Sequence, residues 1–575
     1  MINFTDIENK NQLANILNIE LKYLTYILYI KKVDNYYKEF EIPKKNGEIR
    51  KIHAPTDRLK DIQKNLSIIL SKYQSYPYSE NYKGNKISHA FEKNKSIITN
   101  AKIHRNKKYV FNVDLECFFD SFHFGRVKGF FEKNKIFALP NEIAIILAQL
   151  CCYKGCLPQG APTSPIITNL ICKILDIRLL KIAKSFKLDY TRYADDLTFS
   201  TNDNAFLENQ TKFINLLIKE INRAGFKLND KKTRLQYNTS RQEVTGLVVN
   251  KKINVKKSYY KNTRAMAYTL YRKGNFTING VSSENINKLE GRFSFINQLD
   301  KYNNLLSEKK RDFHNLNSRE KEYQKFLFYK YFFSNEKPLL VTEGKTDIVY
   351  IKSALKNLYT KYPNLVSKKD DGTFEFKISF LNRTKKLHYF MNFGQDGANP
   401  MKNLYNFFDS NNSNPLYPNY LNYFSTLSNK TPNFPVIFIF DNELKNKSKP
   451  LSNFINHIKL DKAKLSKFKK DYKINLVDNL YLLTNQLLPG KSECEIEDLF
   501  DEHTLNHKIS GKTFNRTLKK LEGTNYYSKE IFSNYISQNY KTINFDNFEP
   551  FLNNLNEIVS QSISHKEIEL HNVTV

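Results

Sequence analysis

The sequence predicts a multidomain chain that joins an α+β half to an α/β half. Three observations carry this. At 575 residues the chain exceeds one compact core, and its length suggests about three or four domain-sized units. Two strand-like runs in the first half, 110–114 and 188–193, end at carboxylates and are separated by a helical run at 166–180. Beyond about residue 335 the pattern resets to buried-strand runs closed by acids, the grammar of a parallel sheet.

In chain order, residues 1–40 form a helical extension, with leucine, isoleucine and tyrosine at three- and four-residue steps. Strands and helices alternate over 41–250, and 251–315 turns helical again. The charged, apolar-poor stretch at 307–325 reads as a linker or an exposed helix, 316–335 is placed as the linker between domains, and 336–575 reads as an α/β domain with a helical C-terminal extension. Lysine and arginine number 90 against 58 acids, a net charge of +32, as in a polyphosphate binder. Part of that excess belongs to a chain also rich in asparagine and isoleucine. The 36 tyrosines and 43 phenylalanines interleave with cations, as at Tyr259 and Tyr260 among Lys256, Lys257, Lys261 and Arg264. Six scattered cysteines exclude a disulfide framework. With no signal-like start and no apolar run near about 18 residues, a cytoplasmic protein without a membrane partner is expected.

The chemistry begins at Tyr193-Ala194-Asp195-Asp196, two carboxylates at an expected hairpin tip. Asp114 ends an earlier strand. Acidic oxygens from separate strands suit two divalent ions roughly 3.5–4 Å apart for phosphoryl transfer. Between them, Leu157-Pro158-Gln159-Gly160-Ala161-Pro162-Thr163-Ser164-Pro165 is a loop able to approach a base pair. In the second half, Glu343 follows the strand run at 338–342, and Asp441-Asn442-Glu443 follows that at 435–440. A third strand run at 474–484 precedes the acids Glu495, Glu497 and Asp498. Parallel strands that deliver carboxylates to one sheet edge suit magnesium, or manganese, with oxygen ligands.

These segments, in this order, resemble a reverse transcriptase. The likeness implies a right-hand polymerase with fingers, palm and helical thumb. Asp114 with Phe119 matches the first palm motif, Phe119 taking the position of the gate against ribose 2′-hydroxyls. Gln159 and Gly160 with Ser164, Pro165 and Asn169 match the second motif, and Tyr193 to Asp196 the third. Catalysis and metal binding are implied for Asp114, Asp195 and Asp196, with Asp196 mainly shaping the electrostatics. Lys232, with Lys231 its rival, takes the position of the lysine beside the leaving pyrophosphate. The run 43–50 resembles the fingers, where Arg50 meets the incoming deoxynucleoside triphosphate.

Asn100-Ala101-Lys102-Ile103-His104 and Val244-Thr245-Gly246 resemble two elements of bacterial retron reverse transcriptases. That implies RNA contact by Asn100, His104, Val244, Thr245 and Gly246, and a structured noncoding RNA copied into a multicopy DNA–RNA hybrid. The second half resembles a Rossmann-like Toprim domain. Glu343, Asp441 and Glu443 match its acids, although its second aspartate is here a glutamate. Glu497 resembles the downstream acid of nuclease members, with Glu495 and Asp498 as alternatives. The resemblance to fused retron–Toprim chains implies an anti-phage nuclease effector acting on DNA or RNA, in a homo-oligomer with the hybrid. Two rivals stay open: a nucleic-acid-binding scaffold with a non-catalytic Toprim module, and a mobile-element polymerase without a defence role.

Overall fold

The computed structural model describes residues 3–43, 47–74, 87–394, 398–516 and 525–573. Of the fingers segment expected at 43–50, Lys44, Lys45 and Asn46 lie outside the described residues. The chain divides into two compact units, Met1–Tyr259 and Tyr260–Val575.

In the first unit, short helices α1 (Lys10–Ile16) and α2 (Leu21–Thr25) bury Leu13 and Leu24 in the unit's main core. The Asn9 side chain accepts from the Gln12 amide and so caps α1. An antiparallel hairpin follows, β1 (Tyr37–Pro43) with β2 (Ile49–Pro55). Helix α3 (Asp57–Ser71) buries Leu59, Ile62, Leu66 and Leu70, one stripe at helical spacing. Helix α4 (Ile97–Ile103) starts at a capping box between Ser96 and Thr99.

The centre is a four-stranded antiparallel sheet in the order β4-β5-β3-β6. Its strands are β3 (Tyr109–Asp114), β4 (Asp189–Tyr193), β5 (Asp196–Thr201) and β6 (Arg234–Tyr237). Helices α5 (Phe124–Lys133), α6 (Asn141–Cys151), α7 (Ser164–Ser185) and α8 (Ala205–Arg223) complete the core. Phe111 and Phe199 of the sheet meet Phe213 of α8 edge-on at 6.0 and 5.1 Å. A small hairpin, β7 (Glu243–Val244) and β8 (Leu247–Val248), closes the unit.

Helix α9 (Lys257–Lys273) carries the chain into the second unit. There the hairpin of β9 (Phe276–Ile278) and β10 (Val281–Ser283) and helix α10 (Ile286–Leu305) lead to α11 (Ser318–Phe328). Residues 316–335 are not the linker the sequence suggested. Asn317 and Glu320 form a capping box for α11, and a π turn extends it over Tyr329–Phe333. Its charges are not all at the surface, for Glu320 is buried and paired with Arg311 at 2.9 Å. Tyr323, Phe326, Phe328 and Phe332 are buried in the cluster that includes the α/β sheet, and the run Phe326–Tyr329 is buried all round. The segment expected as a separate thumb shares this core through Leu270 and Phe293.

Five strands order as β14-β11-β15-β17-β16. They are β11 (Leu339–Thr342), β14 (Ser379–Phe380), β15 (Val436–Phe440), β16 (Lys473–Val477) and β17 (Leu480–Thr484), with β12 (Val366–Lys368) and β13 (Phe374–Phe376) a side hairpin. The strands β14, β11, β15 and β17 are parallel, and β16 is antiparallel to β17. Residues 474–484 therefore hold two strands where the sequence suggested one. The turn Asp478-Asn479, with Asp478 at positive φ, divides an otherwise apolar run. Both sheet faces are covered, as the continuous apolar strands require. Val341, Phe438 and Leu482 face the cluster containing α11. Leu340, Ile437 and Leu483 face α12 (Lys345–Asn357) and the helix Lys529–Gln538.

Candidate active site

The register of β3 with β5 sets Asp114 opposite Asp196, and that of β4 with β5 pairs Tyr193 with Asp196. Ala194 and Asp195 are therefore the two residues of a tight hairpin turn. Ala194 has φ +58°, the positive value such a turn needs to follow the strand twist. The Leu115 amide donates to the Asp195 carbonyl at 3.1 Å, tying the tip to the end of β3. Three carboxylates from two strand ends thus share one edge.

Their electrostatics agree with that crowding. Burial, then the charge of Asp114, raises the Asp195 carboxyl above its ordinary range. Asp196 is pushed up to about 7 by desolvation and then by Asp195 and Asp114. It keeps much of its surface open to solvent, so the neighbouring charges deserve more weight than burial. Lys232 donates to both Asp114 oxygens at 3.0 Å, and Asn229 donates to Oδ1 at 3.1 Å. Burial opposes the Lys232 charge, but Asp114 outweighs it and raises that ammonium's pKa. Lys232 therefore lies at the acid cluster, and Asn229 is a partner of Asp114 that sequence reasoning missed.

The other expected nucleotide-binding residues surround this edge. Arg50 is an exposed residue of β2 whose charge reaches Asp195. Phe119 is half-buried beside Phe118, 5.5 Å between rings. The Gln159 carbonyl accepts from the His53 amide at 2.8 Å, joining the proline–glycine loop to the β1–β2 hairpin. Gly160 has φ +122°, and a Cβ there would lie 2.8 Å from the His53 carbonyl oxygen and from Ile52. Only glycine fits this approach.

The retron-like elements act differently from the RNA contacts the resemblance implied. Asn100, His104 and Val244 have no solvent contact. The two His104 ring nitrogens bond Ser200 and Thr191 at 2.7 Å each, bracing β5 to β4, and burial lowers the His104 pKa to about 3. Thr245 and Gly246, both at positive φ, form the two-residue turn of the β7–β8 hairpin. Gly246 alone of the five is exposed. A second brace was not foreseen: Arg192 makes two 2.8 Å bonds to Asp176 and donates to the Ala194 carbonyl in the hairpin turn.

A second cluster lies at the carboxyl ends of β11 and β15, adjacent parallel strands. There β14 flanks β11 on the other side, so the chain's path diverges and opens a crevice. Glu343 is pushed up to about 8 by burial and then by Asp347 and Glu443, and its Oε2 is buried without a partner. Burial, then Asp347, Glu343 and Glu497, raises Asp441 well above the carboxylate range. Asp441 accepts from the Ile496 amide at 2.7 Å. Glu443 pairs with Lys449, and Glu497 with Lys529 at 3.0 Å. Of the three downstream acids, Asp498 is pinned by Lys491 and Arg516 at 2.6 and 2.9 Å. Glu497 is the one that interacts with Asp441. Asp347 and Lys529 were missed: the first reads as a helix cap, accepting from the Gly344 amide at 2.7 Å, and the second lies far along the chain.

Among the described residues, no three side chains of His, Cys, Asp or Glu form a ready-made metal cage. Magnesium is commonly bound through one or two carboxylates together with water and substrate phosphates. The donor chemistry fits in both clusters. Each crowds carboxylates that repel one another; the first draws a lysine ammonium onto Asp114, and the second draws lysines onto Glu443 and Glu497.

Comparison with known proteins places residues 42–260 in the reverse transcriptase (RNA-dependent DNA polymerase) family. The chain is 35% identical to the retron Ec86 reverse transcriptase of Escherichia coli over 51% of its own length and 85% of that enzyme. It is 32% identical to the retron Mx162 reverse transcriptase of Myxococcus xanthus, over 52% of this chain and 65% of that one. Among solved structures, a telomerase from Candida albicans with a fragment of telomeric RNA is 13% identical, over 51% of this chain and 58% of that one, with a TM-score of 0.30, too slight for inference. This chain belongs to the retron reverse transcriptases. No described helix is long and apolar enough to cross a membrane.

Proposed function

We propose that the chain is the RNA-directed DNA polymerase of a retron, copying a structured noncoding RNA into a multicopy single-stranded DNA–RNA hybrid. The observation that carries this reading is the register that sets Asp114 opposite Asp196 with Asp195 at the turn between. Asp114 and Asp195 would hold magnesium or manganese. When bound, these ions lower the pKa of the primer hydroxyl and offset charge on the leaving pyrophosphate. Arg50 meets the triphosphate, Phe119 faces the sugar, and Lys232 exchanges Asp114 for pyrophosphate oxygens. The Gln159 loop, anchored at His53, positions the base pair. The test is DNA synthesis by Asp195→Asn protein with its own RNA; undiminished synthesis removes the assignment.

Residues 336–575 of the second unit are proposed to form a Toprim metal-dependent nuclease that serves as the anti-phage effector. Support comes from the acids of β11 and β15 at one crevice, with Glu343, Asp441 and Glu443 the ligands and Glu497 behind them. The ion pairs on Glu443 and Glu497 favour a rival, an interaction module held by internal pairs without catalysis. Magnesium-dependent cleavage by the full-length protein, abolished in Asp441→Asn, separates the two. Cleavage equal in parent and variant sinks the nuclease.

A further inference from the structure

Two adjoining cavities of about 350 and 720 Å³ lie within the second unit and share two walls, Tyr268 of α9 and Tyr423 of the helix Tyr420–Ser428. Both rings are open to solvent, 50% and 38% exposed. Lys261, Arg264, Tyr268 and Arg272 stand at three- and four-residue steps, so they share one stripe of α9. Lys325 lies 4.8 Å above the Tyr423 ring. The single carboxylate in the lining, Glu322, is paired with Lys325 at 3.3 Å. Lys261, Arg264 and Arg272 therefore line a groove with two solvent-exposed tyrosines, while Lys325, paired with Glu322, covers one face of the Tyr423 ring and leaves the other.

Exposed rings amid cations fit unpaired bases, which stack on aromatic faces while lysine and arginine meet phosphates. Paired bases stack on each other and offer no such face. Asn419 and Asn422 line the second cavity. Asn419 Oδ1 caps the helix by accepting from the Asn422 amide at 2.9 Å, and Asn422 Oδ1 accepts from Thr426. Their Nδ2 groups are therefore the ones that can donate to ribose 2′-hydroxyls, the groups that separate RNA from DNA. We propose that this groove binds an unpaired stretch of RNA, stacking one base on each tyrosine, and so gives the protein an RNA-binding surface outside the Asp114 cluster. Here the helix Tyr420–Ser428 of the α/β half and α9 together hold one RNA strand.

The test uses the full-length protein with its polymerase cleft saturated by an unlabelled DNA–RNA hybrid. Binding of a short fluorescein-labelled oligouridylate is read by anisotropy. Tyr268→Ala with Tyr423→Ala is expected to weaken binding by roughly 25-fold or more, because each stacked base contributes at least about fivefold. Tyr268→Phe with Tyr423→Phe keeps the ring faces and is expected to bind within about twofold of the parent. Lys261→Gln with Arg264→Gln is expected to lower the salt-dependence slope by about 1.4, about 0.7 per phosphate contact on a single strand. Undiminished binding by the alanine pair overturns the proposal. So does loss in the phenylalanine pair equal to that in alanine, or equal binding of the matching DNA oligomer or an RNA duplex. DNA synthesis on a separate primer–template is scored alongside: its failure concerns the polymerase reading, whereas failure of oligouridylate binding concerns this groove.

Discussion

Asp176→Ala should loosen the strands that carry Asp195 without touching the site itself. Asp176 of α7 and Arg192 of β4 are almost fully buried, with side chains 4% and 0% exposed. The pair is bidentate at 2.8 Å, and Tyr190 also donates to Asp176 at 3.1 Å. Removing the carboxylate leaves a guanidinium that cannot shed its proton in a dry interior, with only the Asn169 side chain and Ala194 carbonyl left to it. Breaking one side of such a buried pair costs about 3–5 kcal/mol. Hydrogen exchange of the peptide 189–201 reads that loss locally, and protection there should fall on the order of 10²–10³-fold. Two variants calibrate the result. Asp61→Ala removes a surface pair with Lys64 and should cost less than about 1 kcal/mol. Asp176→Leu with Arg192→Met removes both charges and should be milder than Asp176→Ala alone. A fall below about tenfold in Asp176→Ala would refute the reasoning.

Three further outcomes follow from the same geometry. Gly160→Ala should lower kcat/KM for deoxynucleotides by roughly 10–100-fold, from about 1–3 kcal/mol of backbone strain before the clash with the His53 carbonyl is counted; steady-state kinetics read it, and unchanged kinetics would show the loop contact to be dispensable. His104 is buried neutral with its pKa lowered from 6.5 to about 3. Between those values the unfolded chain binds more protons than the folded one, so stability is full above about pH 6.5. It falls as the pH drops, by up to about 1.4 kcal/mol per unit. Acid unfolding followed by circular dichroism should show this slope in the parent and lose it in His104→Gln. Glu343→Gln should raise the melting temperature in EDTA by a few degrees, because burial and the charges of Asp347 and Glu443 penalise the native carboxylate. It should also lose the further rise on adding magnesium. A lower melting temperature in EDTA would count against mutual repulsion as the dominant force.

The acids were legible because strand ends announce themselves. An apolar run closed by a carboxylate marks Asp114, Glu343 and Asp441 before any coordinates, and Tyr193 to Asp196 marks its own turn. Residues that act through them were not legible. Asn229 and Lys529 meet their partners only through pairings distant in sequence. Asp347 looks like the helix cap it also is. The error at 316–335 has a different origin. The charges before residue 326 set that reading, whereas the aromatic run from Phe326 to Phe333 buries the segment. His104 misled in the opposite sense, since a motif histidine suggests contact while its two hydroxyl partners lie inside the sheet.

The lysines on the candidate metal ligands differ from the arginine of the buried brace. Where an acid only braces the fold, as Asp176 does, arginine meets it, a rigid fork with full burial and two matched bonds. At the edges read as catalytic, lysines stand instead: Lys232 on Asp114, Lys449 on Glu443 and Lys529 on Glu497, with 62%, 37% and 34% of their side chains exposed. An ammonium on a flexible stem is a point charge that can swing to solvent when a stronger cation or a phosphate arrives. A permanent brace needs the opposite property. Lysine alone does not mark such a site, since Lys330 and Lys386 both hold Glu290 and Arg516 holds Asp498 beside the second cluster; what suits Lys232, Lys449 and Lys529 to exchange is a partly exposed ammonium on a candidate metal ligand.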